Sequence, residues 1–402
     1  MRRVLKLAAA GAAATLVLAA CGDAPDSNDG ETNGAPAQTG DAGTQDGADE
    51  TADQTGDDTA GATEGATEGA AGGDASDFKA CMVSDSGGFD DQSFNQSGKE
   101  GMDSAEEDLG ISTQEVESQS DADYVTNVNN LVAQDCNLTI GVGFLLQTAI
   151  RDAAREHPET NFALIDSAFS EDDFSPAEID NAKPILFNTA EASFLAGYVA
   201  AGMTESGTVA TFGGMDLPSV NIFMDGFADG IAKYNEDNDT DVNLLGWNKD
   251  SQSGSFSGDF ENQSQGQTLT EQFIAQGADI VMPVAGPVGL GAAAAADAAD
   301  GVKIIWVDSD GFLTAEGYGH LMLTSVMKQI GPAVHDTIQA TIDGGFTNEP
   351  YVGTLENDGV GIAEFHDFDG DVPQELKDKV EEYKQQIISG ELEIESVNSP
   401  QQ

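Results

Sequence analysis

The chain has 402 residues, of which 72 are acidic and only 15 are basic, and its formal net charge is −57. So large an acidic excess argues against nucleic acid as a partner, because phosphate binding needs a basic face. It also indicates an acidic surface that stays hydrated in concentrated salt, which suggests a salt-loving host.

The first residues predict an exported, lipid-anchored protein. Three basic residues precede an apolar run from Leu7 to Ala20, which is the layout of a secretory signal peptide and too short to span a membrane. The run ends in LAACG (18–22), which resembles the bacterial lipobox. We therefore expect lipidation of Cys21 and residence on the outer face of the cytoplasmic membrane. A secreted protein with an unmodified cysteine is the alternative.

Residues 22–76 form the next segment, built almost wholly from small and acidic residues and containing a GATEGATEGA repeat. The segment has no aromatic residue, so it cannot bury enough apolar surface to offset the entropy of ordering. We expect a disordered tether.

From Asp77 onward, short apolar runs alternate with amphipathic stretches, which is typical of parallel sheets covered by helices on both faces. The apolar runs predict strands at 79–84, 138–143, 162–166, 185–189, 208–213, 243–247, 280–286 and 303–309. Helical patterns lie between them, as over 94–109, 124–134, 193–203, 220–234 and 266–276.

About 325 residues are too many for a single core of this kind, so we predict two Rossmann-like α/β lobes. The first would comprise 77–189 and 322–350, because we place the first crossing near 189 and the return near 321–325. The second would comprise 190–321 and 351–370, followed by a C-terminal helix and tail over 371–402. Ligands of open α/β sheets bind at the carboxyl ends of the strands, which predicts a cleft between the lobes. A single large α/β domain is the alternative.

Two cysteines remain beside Cys21. Cys81 and Cys136 each fall near the start of a predicted strand, and the two strands are expected to be neighbours. An oxidising compartment permits a disulfide between them, and two free thiols are the alternative.

The most informative local segment is VSDSGGFDDQSFNQ (83–96), which follows the first strand and opens the first helix. Ser93 is the expected N-cap, and Gly87-Gly88 permits a tight loop. A helix amino end of this kind can receive hydroxyls or anions. The carboxylates of Asp85 and Asp91 favour neutral polyols, and we expect Asp91 to brace the loop.

Within that segment, GGFDDQSFNQ resembles the hallmark of the basic membrane protein family, the nucleoside-binding lipoproteins also described as purine nucleoside receptors. Similar segments continue in the expected order at 162–167, 192–204, 213–231, 284–291, 304–311 and 323–331. The resemblance implies a type I periplasmic-binding fold and a solute-binding protein of an ABC importer, with a permease as its partner.

The resemblance also implies a purine ring held between aromatic side chains. Phe94 would be one stacking ring and Asn95 a base or ribose contact, although Phe94 taken alone could be a core residue. The second ring is Phe223 or its rival Trp247. Gly286 would let the backbone approach the ligand closely.

Carboxylates and a lysine would hold the ribose in such a site. Asp85 and Asp166 would accept hydrogen bonds from the ligand, Lys328 would donate, and Asp308 would take ribose hydroxyls. Whether Asp308 or Asp310 faces the cleft stays open, and Asp166 and Asp308 could instead cap a following helix. An acid at the end of a buried strand is costly unless it accepts hydrogen bonds, which a sugar can provide.

Catalysis has little support in the sequence. The four histidines are isolated, and neither G-x-S-x-G nor a phosphate loop occurs. HDFDGD (366–371) fits a solvated acidic turn better than a calcium loop. We therefore expect no enzyme activity, no cofactor, no metal and a monomer. A sugar or autoinducer sensor with the same fold, a surface adhesin and a nucleoside hydrolase are the competing functions.

Overall fold

The computed structural model describes residues 75–400. The predicted signal peptide, the predicted lipidation site Cys21 and nearly all of the tether expected over 22–76 lie outside these residues. Within the described part, no helix is both long enough and apolar enough to cross a membrane.

The first half of the described chain alternates strands and helices. Its elements are β1 (Lys79–Ser84), α1 (Phe94–Leu109), β2 (Ser112–Glu117), α2 (Tyr124–Val132), β3 (Leu138–Val142), α3 (Gln147–Glu156), β4 (Asn161–Ile165) and β5 (Ala182–Phe187). Every residue of β3 is buried, as a strand covered on both faces requires. The sequence pattern missed β2, whose polar side chains are half-exposed at an edge of the sheet.

The second half of the described chain also alternates strands and helices. Its elements are α4 (Thr189–Met203), β6 (Thr208–Gly213), α5 (Pro218–Asn238), β7 (Asn243–Leu245), β8 (Trp247–Asn248), β9 (Ser253–Gly254), α6 (Gln263–Ala275), β10 (Ile280–Val284), α7 (Val288–Asp297), β11 (Lys303–Asp308), α8 (Gly311–Thr314), β12 (Met322–Lys328), α9 (Ile330–Ile342), β13 (Tyr351–Gly353), β14 (Val360–Ile362) and α10 (Gln374–Ile388). Helix α5 begins with a proline, whose missing N–H is not needed in the first turn.

The strands form two main sheets, which define the two lobes. The first has the order β13-β5-β4-β3-β1-β2, and all of its pairs are parallel. The second has the order β14-β12-β11-β10-β6-β7 and is parallel except for β14 at its edge. The architecture is therefore the two-sheet α/β fold that the sequence predicted.

The path between the lobes differs from the prediction. Over residues 75–400 the chain passes between the two sheets three times, after β5, after β12 and after β13. Strand β12, expected in the first lobe, pairs with β11 in the second, so the return lies after Lys328 and not near 321–325. Strand β13, expected in the second lobe, pairs with β5 in the first. An apolar run shows that a strand forms, but its partner depends on distant residues.

Cys81 and Cys136 form a disulfide, with their Cα atoms 5.9 Å apart. Cys81 lies in β1 and Cys136 lies two residues before β3, and these two strands are neighbours in the first sheet, as expected. The bridge joins residues 55 positions apart in sequence and so ties the start of the first lobe to its central strands.

Candidate functional site

A cavity lies between the lobes, at the carboxyl ends of the strands of both sheets. It encloses about 540 Å³ of space free of protein atoms, counted with its opening to solvent. All eight residues that the sequence predicted as ligand contacts line it: Asp85, Phe94, Asn95, Asp166, Phe223, Gly286, Asp308 and Lys328. The two alternatives, Trp247 and Asp310, are not part of its lining.

Asp91 organises the loop that leads into α1. Its carboxylate accepts backbone N–H bonds from Ser93 at 2.9 Å, from Asn95 at 2.8 Å and from Gln96 at 3.0 Å. Asp91 therefore braces the loop, as expected, while also lining the cavity. Ser93 occupies the N-cap position, but its side chain makes no capping bond. The expected role of the serine is taken by the aspartate because the Ser93 hydroxyl points towards the second lobe.

Asp85 follows β1 and is almost fully buried. It fits there only because Gly143, which follows β3, has no side chain: a Cβ on Gly143 would lie 1.8 Å from Asp85 Oδ2. Gly143 adopts a φ of 110°, which also favours glycine. Gly143 was not among the residues predicted from the sequence, although a glycine directly after a buried strand was the available signal.

A charged cluster joins the lobes across the cavity. Lys328, at the end of β12, donates a hydrogen bond to Asp166 Oδ2 of the first lobe and lies 3.2 Å from Asp308 Oδ1. Ser93 Oγ donates to the other oxygen of Asp308 at 3.1 Å. Asp166 and Asp308 adopt φ values of 64° and 69°. The left-handed region is costly for residues other than glycine, and such strain concentrates at functional positions.

Burial shifts the protonation of these groups. Desolvation raises the pKa of Asp85 well above its ordinary value, and the nearby charge of Asp91 adds to the effect. Desolvation likewise raises the pKa of Asp91 to about 6, against the backbone hydrogen bonds that lower it. Burial alone would lower the pKa of Lys328, but Asp166 and Asp308 raise it above its usual range. Lys328 is thus charged, whereas burial favours the neutral form of Asp85.

Two aromatic rings flank the lysine. The Nζ atom of Lys328 lies 4.9 Å from the centre of the Phe94 ring and 4.8 Å from that of Phe223. These distances are within the range of cation–π contact. Trp247 instead donates its indole N–H to Asp225 at 3.0 Å and packs edge-on against Phe256. Of the two rings considered for the second platform, Phe223 is the one at the cavity.

Asn95 carries an unused acceptor. Its amide nitrogen donates to the carbonyl oxygen of Ser86 at 3.1 Å, while its Oδ1 atom has no hydrogen-bond partner among residues 75–400. The residue is only 2% exposed. A buried oxygen without a donor is costly, so a ligand N–H or O–H at this place would stabilise the site.

Asp310 has a structural role outside the cavity. Its Oδ1 atom accepts from the backbone N–H of Phe312 at 3.1 Å and so caps α8. Its Oδ2 atom lies 2.7 Å from His366 Nε2, and the His366 ring stacks on Phe312. The HDFDGD segment therefore contacts the N-cap residue of α8 through His366. Across the described part of the chain, no three His, Cys, Asp or Glu side chains are grouped so that they could hold a metal.

Comparison with known proteins gives one consistent result. A family model described as "ABC transporter substrate-binding protein PnrA-like" matches residues 78–398. A "CD4+ T-cell-stimulating antigen" of Listeria innocua is 31% identical over 80% of this chain and 88% of its own length. An "ABC transporter nucleoside-binding protein BmpA" of Lactococcus lactis is 30% identical over 80% and 90%, respectively.

A solved structure shares the fold. The crystal structure of an ABC transporter solute-binding protein from Aeropyrum pernix has a TM-score of 0.71 to this chain and is 25% identical in sequence. The match covers 81% of this chain and 94% of that one. The likeness therefore extends over nearly all of the described residues and includes both lobes.

Proposed function

The chain belongs to the Bmp family of PnrA-like ABC transporter substrate-binding proteins, and from that premise we propose that it captures purine nucleosides for import. Substrate-binding proteins of ABC transporters deliver small molecules to permease components and are not enzymes. The observation that carries the proposal is the charged cluster of Asp166, Asp308 and Lys328, in which the lysine Nζ atom lies 4.9 Å and 4.8 Å from the ring centres of Phe94 and Phe223.

The charged cluster suits ribose. A carboxylate accepts two or more hydrogen bonds, and vicinal hydroxyls offer two donors at matching spacing. Lys328 already spans Asp166 and Asp308, so a diol that approaches the same carboxylates also meets a cationic donor. We assign the ribose hydroxyls to Asp166 and Asp308, with Lys328 donating to a sugar oxygen.

The aromatic rings suit a base. Phe94 and Phe223 lie on opposite lobes, since one opens α1 and the other belongs to α5. A planar base between them gains about 1 to 3 kcal/mol from stacking, on the scale seen for single-stranded nucleic acids. The free Oδ1 atom of Asn95 supports a base that carries an N–H donor, as purines with amino or lactam groups do.

Charge argues against phosphorylated ligands. The cavity lining has four carboxyl groups, those of Asp85, Asp91, Asp166 and Asp308, and a single cation, Lys328. An added phosphate would face uncompensated negative charge in a buried site, which is strongly unfavourable. A neutral nucleoside is therefore the better ligand than a nucleotide.

Ligand capture would close the lobes. Bonds already cross the cleft from Lys328 to Asp166 and from Ser93 to Asp308. A nucleoside that touches both lobes binds the closed form more tightly and shifts the population towards it. We further propose that the chain acts as a monomer, is anchored outside the cytoplasmic membrane through lipidated Cys21, and presents its closed form to a permease.

A thermal-shift panel on the full chain tests the ligand class. We expect raised melting with inosine, guanosine or adenosine and no response to free sugars or amino acids. A response to sugars alone would favour a sensor, and no response across the panel would favour a surface adhesin. Base released from bound nucleoside, followed by chromatography, would indicate a hydrolase and contradict the assignment.

A further inference from the structure

Phe260 lines the cavity, although no sequence pattern pointed to it. We propose that Phe260 forms the end wall of the base pocket and limits the base to the length of a purine. The inference rests on the proposed function, because it gives a size limit to the same nucleoside site.

The segment that carries Phe260 is fixed to the second sheet. It runs beside the end of β6 through a bridge between Gly213 and Phe256. Ser257 donates its backbone N–H to Gly213 O at 2.9 Å, and Gly258 donates to Gly214 O at 2.8 Å. Backbone bonds of this kind hold the segment as an added strand, so the ring of Phe260 is presented from a rigid support.

Two further features set the position of the ring. A Cβ on Gly214 would lie 2.3 Å from the Phe260 ring, so only glycine leaves room for the ring there. Asp259 lies directly before Phe260, and its Oδ1 atom accepts hydrogen bonds from the two backbone N–H groups that follow the phenylalanine, those of Glu261 at 2.9 Å and Asn262 at 2.7 Å. The chain is thus pinned on both sides of the phenylalanine.

The strand order places Phe260 far from the ribose cluster. Lys328 ends β12, whereas Phe260 packs at the end of β6, and β11 and β10 lie between these strands. Three strand spacings amount to about 14 Å between the strand axes. A nucleoside with its ribose at Lys328 therefore extends its base along the sheet edge towards Phe260.

An end wall at Phe260 would determine which bases the pocket rejects. The edge of a purine farthest from its ribose carries N1 and the substituents at positions 2 and 6. A third fused ring on that edge would collide with Phe260, because the neighbouring backbone leaves the phenylalanine little room to move. The site should thus accept purine nucleosides and reject those with an etheno bridge.

Titration calorimetry on the full chain tests the wall. Adenosine is compared with 1,N6-ethenoadenosine and guanosine with 1,N2-ethenoguanosine, for the parent, Phe260→Ala and the control Phe256→Ala. Phe256 belongs to the same segment but does not line the cavity. We expect the parent to favour the unmodified nucleosides roughly tenfold or more, Phe260→Ala to lose most of that preference, and Phe256→Ala to keep it.

The outcomes separate the two proposals. The parent could bind purine nucleosides and their etheno forms equally well, or Phe260→Ala could keep the parent's preference. Either result would contradict the proposal that Phe260 limits the base, and would leave the proposed nucleoside site unaffected. If the parent binds no nucleoside, both proposals fail. Circular dichroism of each variant identifies any that has failed to fold, and Phe260→Leu then replaces the alanine variant.

Discussion

The charged cluster and the aromatic walls of the cavity are built on different principles. Asp166 and Asp308 are strand-end residues held in left-handed backbone conformations, and Lys328 bridges them across the two lobes. The phenylalanines lie on helices or on a pinned segment and contribute surface area. Hydrogen bonds to charged groups depend steeply on position, whereas stacking tolerates small displacements.

The two parts of the site should therefore respond differently to mutation. Removing one member of the charged cluster leaves a buried charge without its partner, so the penalty exceeds the value of the lost bond. Removing the partly buried ring of Phe94 leaves a space at the cavity that ligand or water can fill, so mainly the stacking contribution is lost. The ring of Phe223 is buried in the core, so its removal should also lower the free energy of unfolding. The cluster and Phe223 should therefore be needed for both folding and binding, and Phe94 for binding alone.

Lys328→Met should have the greatest effect. Asp166 and Asp308 would remain buried with no cation, which costs about 3 to 5 kcal/mol of unfolding free energy. Urea denaturation at pH 8 measures the loss. Adding Asp308→Asn to the variant should recover part of it, because one buried charge is removed. An unchanged midpoint for Lys328→Met would mean that the cluster is hydrated and does not hold the lobes together.

Asp91 should make stability depend on pH. Its pKa is about 6 in the folded chain against an ordinary 3.8, so its protonated form favours folding and this contribution is lost as the pH rises through about 6. The difference amounts to ~3 kcal/mol. Between pH 4 and pH 7, the parent should lose most of that unfolding free energy relative to Asp91→Asn.

The control for that experiment is Asp90→Asn, at the exposed neighbouring position. This variant should follow the parent at every pH. If Asp91→Asn also follows the parent, the three backbone hydrogen bonds outweigh burial and the carboxylate is ionised throughout.

Asp308→Ala should weaken nucleoside binding by about 1.5 to 3 kcal/mol, because hydrogen bonds to a charged acceptor are lost. Asp310→Ala is the matched control, since that carboxylate caps α8 outside the cavity. Calorimetry should show a weaker ligand affinity for the first variant only. Equal losses for the two would place the ribose contact elsewhere.

Phe94→Ala should cost about 1 to 3 kcal/mol of binding with the fold intact. Phe174→Ala serves as the control, because its ring is 89% exposed and away from the cavity lining. The comparison of unfolding midpoints with ligand affinities is decisive here. A lowered midpoint with unchanged affinity would make Phe94 a packing residue and not a stacking platform.

The sequence predicted eight of the 19 residues that line the cavity, partly because several of them follow local rules. Asp85, Asp166 and Asp308 lie at or directly after the ends of buried strands, and Phe94 opens a helix after a glycine-containing loop, so each position was readable from its neighbours. The family resemblance then indicated the roles. The choice of Phe223 over Trp247 needed the structure, since the burial of Trp247 depends on Asp225, which is 22 residues distant.

The features that the sequence did not predict depend on contacts between residues far apart in the chain. Phe260 reaches the cavity only because its segment pairs with Gly213 and Gly214, some 45 residues earlier, in backbone contacts that no side-chain pattern records. Strand β12 has an apolar pattern, but that pattern does not show that the strand pairs with β11 in the second lobe. The periodicity of apolar residues predicts that a helix or strand forms, but it does not predict which other elements will pack against it.

Titration of the full chain with inosine and with inosine 5′-monophosphate tests most directly whether the cleft is a site for neutral purine nucleosides. We expect one saturable site for inosine and binding of the monophosphate that is weaker by roughly tenfold or more, because its charge meets the carboxylates of Asp166 and Asp308, which Lys328 alone does not fully balance. Equal or tighter binding of the monophosphate, or no binding of any purine nucleoside, would contradict the assignment.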